Sequence, residues 1–232
     1  MNLIIDIGNT FIKTALFSDN KIVEKNIFKD EENFNVYYKN IDFEKAIISN
    51  VGKSSFRIDD ERVLHFNHKT KIPIQNNYET KETLGLDRLA AAIGGHYLFP
   101  TKDVLIIDCG SCITYDYITK LGEYEGGGIT VGLEMKLKAL NNFTAKLPLV
   151  ELSNYKDLIG KSTTTSILSG VINGTIAEIS GIIKNYQNIS DNLAPVLCGG
   201  DAQFISERLD FEVPVEDNLV LVGLNEVLKI NE

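Results

Sequence analysis

Two aspartates in this chain stand in the same local context. Leu3-Ile4-Ile5-Asp6-Ile7-Gly8 is followed by Asn9-Thr10, and Leu105-Ile106-Ile107-Asp108-Cys109-Gly110 is followed by Ser111. A carboxylate at the end of an apolar run, then a glycine and small polar residues, suits phosphate chemistry. Backbone N–H groups and hydroxyls can face phosphate oxygens while the carboxylate orients a metal ion and its waters. The glycine lets the backbone turn tightly or approach a ligand closely. Either turn alone could equally be a buried strand ending in an Asx-type turn. The pairing favours the functional reading, in which two such turns hold a polyphosphate and its metal between them. Lys13 and Thr14 follow the first copy, Thr114 and Asp116 the second.

A third candidate is Gly85-Leu86-Asp87-Arg88. Arginine is scarce, occurring only as Arg57, Arg62, Arg88 and Arg208. Arg88 could fork a carboxylate, and Asp87 could accept a proton from a hydroxyl nucleophile. The residues alone favour a plainer reading: a helix-start aspartate that complements the helix dipole, beside an unrelated surface arginine. Gly126-Gly127-Gly128 and Gly199-Gly200 could each admit a nucleotide closely, but glycine pairs mark many turns. Three other patterns are set aside. Cys109-Gly110-Ser111-Cys112 has redox spacing, yet it joins two apparent strands where the redox motif begins a helix. His65 and His68 lack further metal ligands. Gly160-Lys161-Ser162-Thr163 ends like a P-loop, but Tyr155 stands where that loop needs its first glycine.

These residues need elements to hold them. The runs at 2–7 and 103–108 read as strands buried on both faces. After the first, strands are expected at 10–17 and 21–28, with Asn9 and Asp19-Asn20 as turns. A surface helix over Lys29 to Lys39 and a strand at 46–52 follow. Leu89, Ala92, Ile93 and Tyr97 recur at helical spacing, predicting a helix from Leu86 to Leu98 that Pro100 ends. The second copy starts a similar series, with strands at 103–108, 112–118 and 122–130 and a hairpin turn at Leu121-Gly122. Helices are expected from Leu133 to about Lys146 and from about Thr163 to Tyr186. A strand over Val196-Leu197-Cys198 precedes helices from Asp201 to Leu209 and from Asn218 to Lys229. Gly170, Gly174 and Gly181 cost helix propensity, which points to close packing against another backbone. Such a series, stated twice, is the organisation of a duplicated α/β protein, mixed sheets flanked by helices. A boundary near Pro100-Thr101-Lys102 would give domains of residues 1–101 and 102–232.

The 232 residues suffice for one large domain or two small ones. A formal charge of −9 speaks against nonspecific nucleic-acid binding, so an anionic substrate must be held by local features. Asp6 in an N-terminus without a basic stretch argues against a signal peptide. No apolar run approaches the ~20 residues of a membrane span, and the three cysteines form no disulfide framework. A cytoplasmic protein without membrane or nucleic-acid partners is expected.

With these residues laid out, the chain resembles the acetate-and-sugar-kinase, heat-shock-chaperone and actin superfamily. Within it, the chain is similar to the type III pantothenate kinases. The resemblance covers nearly the whole chain and lies in an ordered set of motifs. Asp6-Ile7-Gly8-Asn9-Thr10 matches the first phosphate loop; Tyr78 with Gly85-Leu86-Asp87-Arg88 matches the substrate segment; Asp108-Cys109-Gly110-Ser111, with Thr114 and Asp116, matches the second phosphate loop. Gly127-Gly128-Ile129, Ala139-Leu140, Leu147-Pro148, Thr163, Ser166-Ile167, Ser169-Gly170 and Gly199-Gly200-Asp201-Ala202 follow in family order.

The resemblance implies duplicated actin-like (ribonuclease H-like) domains with an interdomain cleft. It also implies ATP-dependent phosphorylation of pantothenate on its primary hydroxyl, the first step toward coenzyme A. Asp87 would then be the proton acceptor. Tyr78, Gly85, Leu86, Asp87 and Arg88 would bind pantothenate, with Arg88 on its carboxylate and Thr163 reaching it across a homodimer interface. Asp6, Ile7, Gly8, Asn9, Thr10, Phe11, Ile12 and Lys13, together with Ser111, would hold ATP. Asp6 would serve Mg2+ indirectly or through water, and Asp108 would ligate a monovalent cation, K+ or NH4+. This reverses the reading of Asp87 and Arg88 that the residues alone favour. Ser111 and Cys112 stand where the family usually has Thr and Ala, and Lys81 and Val131 where it usually has Pro. The serine keeps the hydroxyl, while the missing prolines leave their loops less rigid.

Competing readings remain at this point. Another kinase of the superfamily, acting on a sugar or small acid, would want several carboxylates and amides instead of Tyr78 and the Gly85–Arg88 segment. A non-catalytic ATP-binding regulatory paralogue is a second, and the presence of Asp6, Asp87 and Asp108 together argues against it. An exopolyphosphatase-like hydrolase is a third.

Overall fold

The apolar run at the start forms strand β1 (Asn2–Ile7), buried at every residue but the first, as a strand covered on both faces should be. The computed structural model describes residues 1–52 and 58–231; Arg57 lies outside the described residues. β1 is central in a sheet of order β3-β2-β1-β4-β5. β2 (Ile12–Ser18) and β3 (Lys21–Phe28) continue it antiparallel, while β4 (Lys45–Asn50) and β5 (Val63–His65) lie parallel on the other side. β2 starts at Ile12 and not at residue 10, because the Gly8 N–H bonds the Phe11 carbonyl and closes Asn9-Thr10 into a turn. Helix α1 (Glu31–Asn40) starts later than expected because Asp30 caps it, Oδ1 accepting the Asn33 N–H at 2.8 Å. Leu3, Ile5 and Ile7 pack with Phe34 of α1 in one cluster.

Contacts divide the chain into two compact units. The first comprises Met1–Thr101, Ile118–Glu125 and the C-terminal stretch from Asn218; the second comprises Lys102–Tyr117 and Gly126–Asp217. Within the first, α2 (Leu86–Leu98) buries every residue from Arg88 to Gly95. It crosses α6 (Leu219–Lys229) almost backbone to backbone. A Cβ at Gly223 would lie 1.8 Å from the Ala90 carbonyl oxygen, and one at Gly94 would lie 2.1 Å from that of Leu219. Only glycine permits this approach.

In the second unit, β7 (Asp103–Cys109) repeats the buried run. β8 (Cys112–Ile118) and β9 (Glu123–Val131), apart from the hairpin end at 118–125 that belongs to the first unit, follow it in the sheet, and β10 (Leu193–Cys198) pairs parallel with β7 on its other side. β10 begins earlier than expected and takes in Pro195, which an edge strand tolerates. α3 (Leu133–Asn142) stops short of Lys146, where Asn141 Nδ2 donates to the Leu147 carbonyl at 2.8 Å. α5 (Ala202–Ser206) is shorter than expected.

α4 (Thr163–Gln187) is the longest helix and starts at a reciprocal cap between Ser162 and Thr165. By length and composition alone it could cross a membrane, although Asn173 and Glu178 interrupt its apolar sequence. Its apolar face is occupied by core instead: Ile167, Leu168, Val171, Ile172, Ile179 and Ile183 pack with Leu105, Ile107, Ile113 and Leu137. A polar node ties it to α3, Lys136 Nζ lying 2.8 Å from Glu178 Oε2 and 2.9 Å from Thr175 Oγ1. A Cβ at Gly170, Gly174 or Gly181 would meet no atom of another element within 4 Å. The close packing expected of these glycines is therefore not made by the described residues of this chain.

Candidate active site

Asp6 is the next-to-last residue of β1, level with Lys13 on β2 and Ser49 on β4. Residues level on adjacent strands share a face, so a carboxylate, an ammonium and a hydroxyl converge where the strand ends. Asp6 is only 9% exposed and Ser49 is fully buried. The turn that follows is held from two sides. The Gly8 N–H bonds the Phe11 carbonyl at 3.0 Å, and the Val51 and Gly52 N–H groups both reach the Ile7 carbonyl, at 3.0 and 3.2 Å. A Cβ at Gly52 would come 2.7 Å from the Gly8 oxygen, so the loop after β4 presses on the turn. Asn9, Thr10 and Phe11 are exposed at its tip. Ile7 and Ile12 are buried in the core cluster, so their side chains are packing groups.

Tyr78, Gly85, Leu86, Asp87 and Arg88 belong to the same unit as this turn. Gly85 is the residue before α2, and Asp87 Oδ1 accepts the Arg88 N–H at 2.9 Å. A Cβ at Gly85 would sit 2.5 Å from that oxygen, so the glycine clears room for the carboxylate. Arg88 is 7% exposed, which overturns the surface-arginine reading. Its guanidinium carbon lies 5.9 Å from the centroid of the Tyr78 ring, at the outer limit of a cation–π contact. A guanidinium carried on a buried residue is costly, and it suits recognition of an anion.

The second unit carries the other turn. The Gly110 N–H bonds the Cys112 carbonyl and the Gly132 N–H bonds the Ser111 carbonyl, each at 3.0 Å. Ser111 is exposed. Gly199 has φ +91°, and a Cβ there would lie 2.3 Å from Asp108 Oδ1, so this glycine lets the backbone lie directly against the carboxylate. The Asp201 N–H bonds the Cys109 carbonyl at 2.9 Å. Burial, then the nearby Glu134 charge, pushes the Asp201 carboxyl above its usual range. Burial and the charges of Asp108 and Asp201 push the Cys109 thiol up as well. A buried thiol of that kind between two strands is not a redox centre. Gly127 has a packing role, since a Cβ there would lie 1.8 Å from the Tyr115 carbonyl oxygen. Thr114 Oγ1 bonds the fully buried Asp116 at 3.0 Å. Thr163 is exposed as the first residue of α4. Among the described residues no group of three or more His, Cys, Asp and Glu forms a metal cage.

Sequence reasoning passed over Ser49, Gly52 and Tyr124. Each matters through a pairing or contact with a distant segment, and only their tertiary neighbours single them out.

Solved structures share this architecture. A glucokinase from an Antarctic psychrotroph is 12% identical over 100% of this chain and 99% of that one, with a TM-score of 0.55. A Baf family protein from Campylobacter jejuni is 22% identical over 99% of this chain and 98% of that one, with a TM-score of 0.66. The fold is thus the actin-like fold found in sugar kinases. Residues 2–185 match the type III pantothenate kinase family. Relatives named type III pantothenate kinase are 42% identical in Christiangramia forsetii, over 100% of this chain and 99% of the relative, and 38% identical in Flavobacterium psychrophilum, over 97% of each. The chain belongs to the type III pantothenate kinase family.

Proposed function

We propose that the chain transfers the γ-phosphoryl group of ATP to the primary hydroxyl of pantothenate, the first step of coenzyme A biosynthesis, in the cytoplasm. The observation that carries the reading is Arg88, buried, its N–H bonded to Asp87 and its guanidinium near the Tyr78 ring. An acceptor with one carboxylate and one reactive hydroxyl would use both charged groups. The hydroxyl oxygen attacks the γ-phosphorus, the bond to the β,γ-bridging oxygen breaks, and ADP leaves with that electron pair. The hydroxyl proton passes to Asp87. Phosphoryl transfer depends on positioning and charge neutralisation more than on covalent help. In the first turn the backbone N–H groups of residues 9–11, the Thr10 hydroxyl and Lys13 are the groups suited to phosphate, and in the second turn the Ser111 hydroxyl is.

The cations fit the residues present. Mg2+ bound with a nucleotide needs one or two carboxylates, the phosphates supplying the rest; Asp6 would take that role, directly or through water, and the ion would supply charge neutralisation for the transferring group. Asp108 suits a monovalent cation. The Gly199 backbone lies directly against the Asp108 carboxylate, and Asp201 is held beside it through its N–H bond to the Cys109 carbonyl, so a cation bound at this turn would offset carboxylate charge. The test is pantothenate-dependent ADP release by the purified protein with ATP, magnesium and potassium. ATP turnover indifferent to pantothenate would end the reading.

The same reading includes a homodimer formed through α4. Thr163, Ser166, Gly170, Gly174 and Ala177 recur at helical spacing and are exposed, and small residues let two backbones approach closely. Thr163, at the head of this stripe, would complete the partner's pantothenate site. Gly174→Leu is expected to shift sedimentation from dimer toward monomer and to lower activity most at low protein concentration. A wild-type protein that sediments as a monomer under assay conditions would remove the interface.

A further inference from the structure

The hairpin joining β8 and β9 ends in residues 118–125, which belong to the first unit. There the two-residue strand β6 (Gln75–Asn76) lies parallel to the start of β9, with Asn76 opposite Tyr124. The Gln75 N–H bonds the Gly122 carbonyl at 2.8 Å, and the Asn77 N–H bonds that of Tyr124 at 2.9 Å. Side chains repeat the attachment: Asn77 Nδ2 donates to Glu125 Oε1 at 2.7 Å. Asn76 Oδ1 accepts the Tyr78 N–H at 2.9 Å. Tyr124 is fully buried, and its ring centroid lies 6.3 Å from that of Tyr78, the planes tilted by 39°. That is within the range in which aromatic pairs attract. Tyr78 is only half-buried, and the Arg88 guanidinium carbon lies 5.9 Å from its ring centroid. Tyr78 thus neighbours both a fully buried core ring and a guanidinium.

We propose that Tyr124 is a positioning residue that fixes the Tyr78 ring and, through it, aims the Arg88 guanidinium at the carboxylate of the acceptor. This rests on the reading of Arg88 given under Proposed function. The physical need is clear. β6 is too short to hold its segment rigidly, and a forked guanidinium recognises a carboxylate only when its plane is correctly oriented. A misaimed guanidinium weakens acceptor binding while leaving the ATP turns and Asp87 untouched. The role therefore separates the two substrates.

The test uses the full chain and measures kcat and both KM values for Tyr124→Leu, Tyr124→Phe, Arg88→Gln and the Tyr124→Leu/Arg88→Gln double variant. Tyr124→Leu is expected to raise the pantothenate KM roughly five- to tenfold, with the ATP KM and kcat within about twofold. Tyr124→Phe, which keeps the ring, restores the pantothenate KM. In the Arg88→Gln background, Tyr124→Leu adds nothing. If Arg88→Gln raises the pantothenate KM and Tyr124→Leu does not, or if the two effects multiply independently, the positioning role is overturned and the carboxylate reading stands. If Arg88→Gln itself leaves that KM unchanged, the carboxylate reading fails and takes this proposal with it. Should Tyr124→Leu fail to fold, Tyr124→Met and Asn76→Ala are judged by the same criteria.

Discussion

Asp87→Asn is expected to lower kcat by about two to four orders of magnitude, the usual worth of a positioned general base. The exchange preserves shape. The Asn oxygen can still accept the Arg88 N–H that Asp87 Oδ1 accepts now, and Gly85 still leaves the space. What disappears is the ability to take a proton. Asp87 also lies in the first turn of α2, where a carboxylate stabilises the helix dipole by about 0.3–1 kcal/mol. If that were its only role, Asp87→Asn would lower stability slightly and leave kcat alone. Steady-state kinetics and a melting curve on one preparation separate the two roles. Full retention of kcat would remove Asp87 from the chemistry.

The second large effect concerns the support beneath α2. Gly223→Ala is expected to destabilise the protein by about 3 kcal/mol, equivalent to a fall in Tm of roughly 6–12 °C. Elsewhere in a helix the same exchange usually stabilises, since alanine is the better helix former by about 1 kcal/mol. Here the added carbon would stand 1.8 Å from the Ala90 carbonyl oxygen and 2.9 Å from the Gly94 nitrogen. Neither is the far end of a flexible side chain, so the helices must separate. Because α2 begins with Leu86, Asp87 and Arg88, their separation also displaces the acceptor site, and kcat/KM should fall at temperatures where the variant is still folded. An unchanged Tm by calorimetry would contradict the close crossing.

What could be read from the residues follows from how local their determinants are. β1 and β7 were legible because an unbroken apolar run ending in Asp-x-Gly has few alternatives to a buried strand. The end of α2 was legible because Pro100 forbids its continuation. β5 and β6, three and two residues long, carry no period to detect. The docking of α6 against α2 depends on glycines that meet only in three dimensions. Arg88 was hardest, since arginine is among the residues seldom fully buried, and its burial comes from its place on α2 and not from its type. Gly170 and Gly174 of α4 stand out for their cost to the helix, but they lie on an exposed face.

The central claim is the identity of the acceptor, because the fold is shared with kinases of sugars. The most direct measurement supplies the purified protein with ATP, magnesium and potassium, offers pantothenate and glucose in separate reactions, and follows ADP release with mass analysis of the product. The account predicts ADP release with pantothenate, one phosphorylated pantothenate formed per ADP, and none of this with glucose. ADP release with glucose alone, or with pantothenate left unmodified, would contradict it.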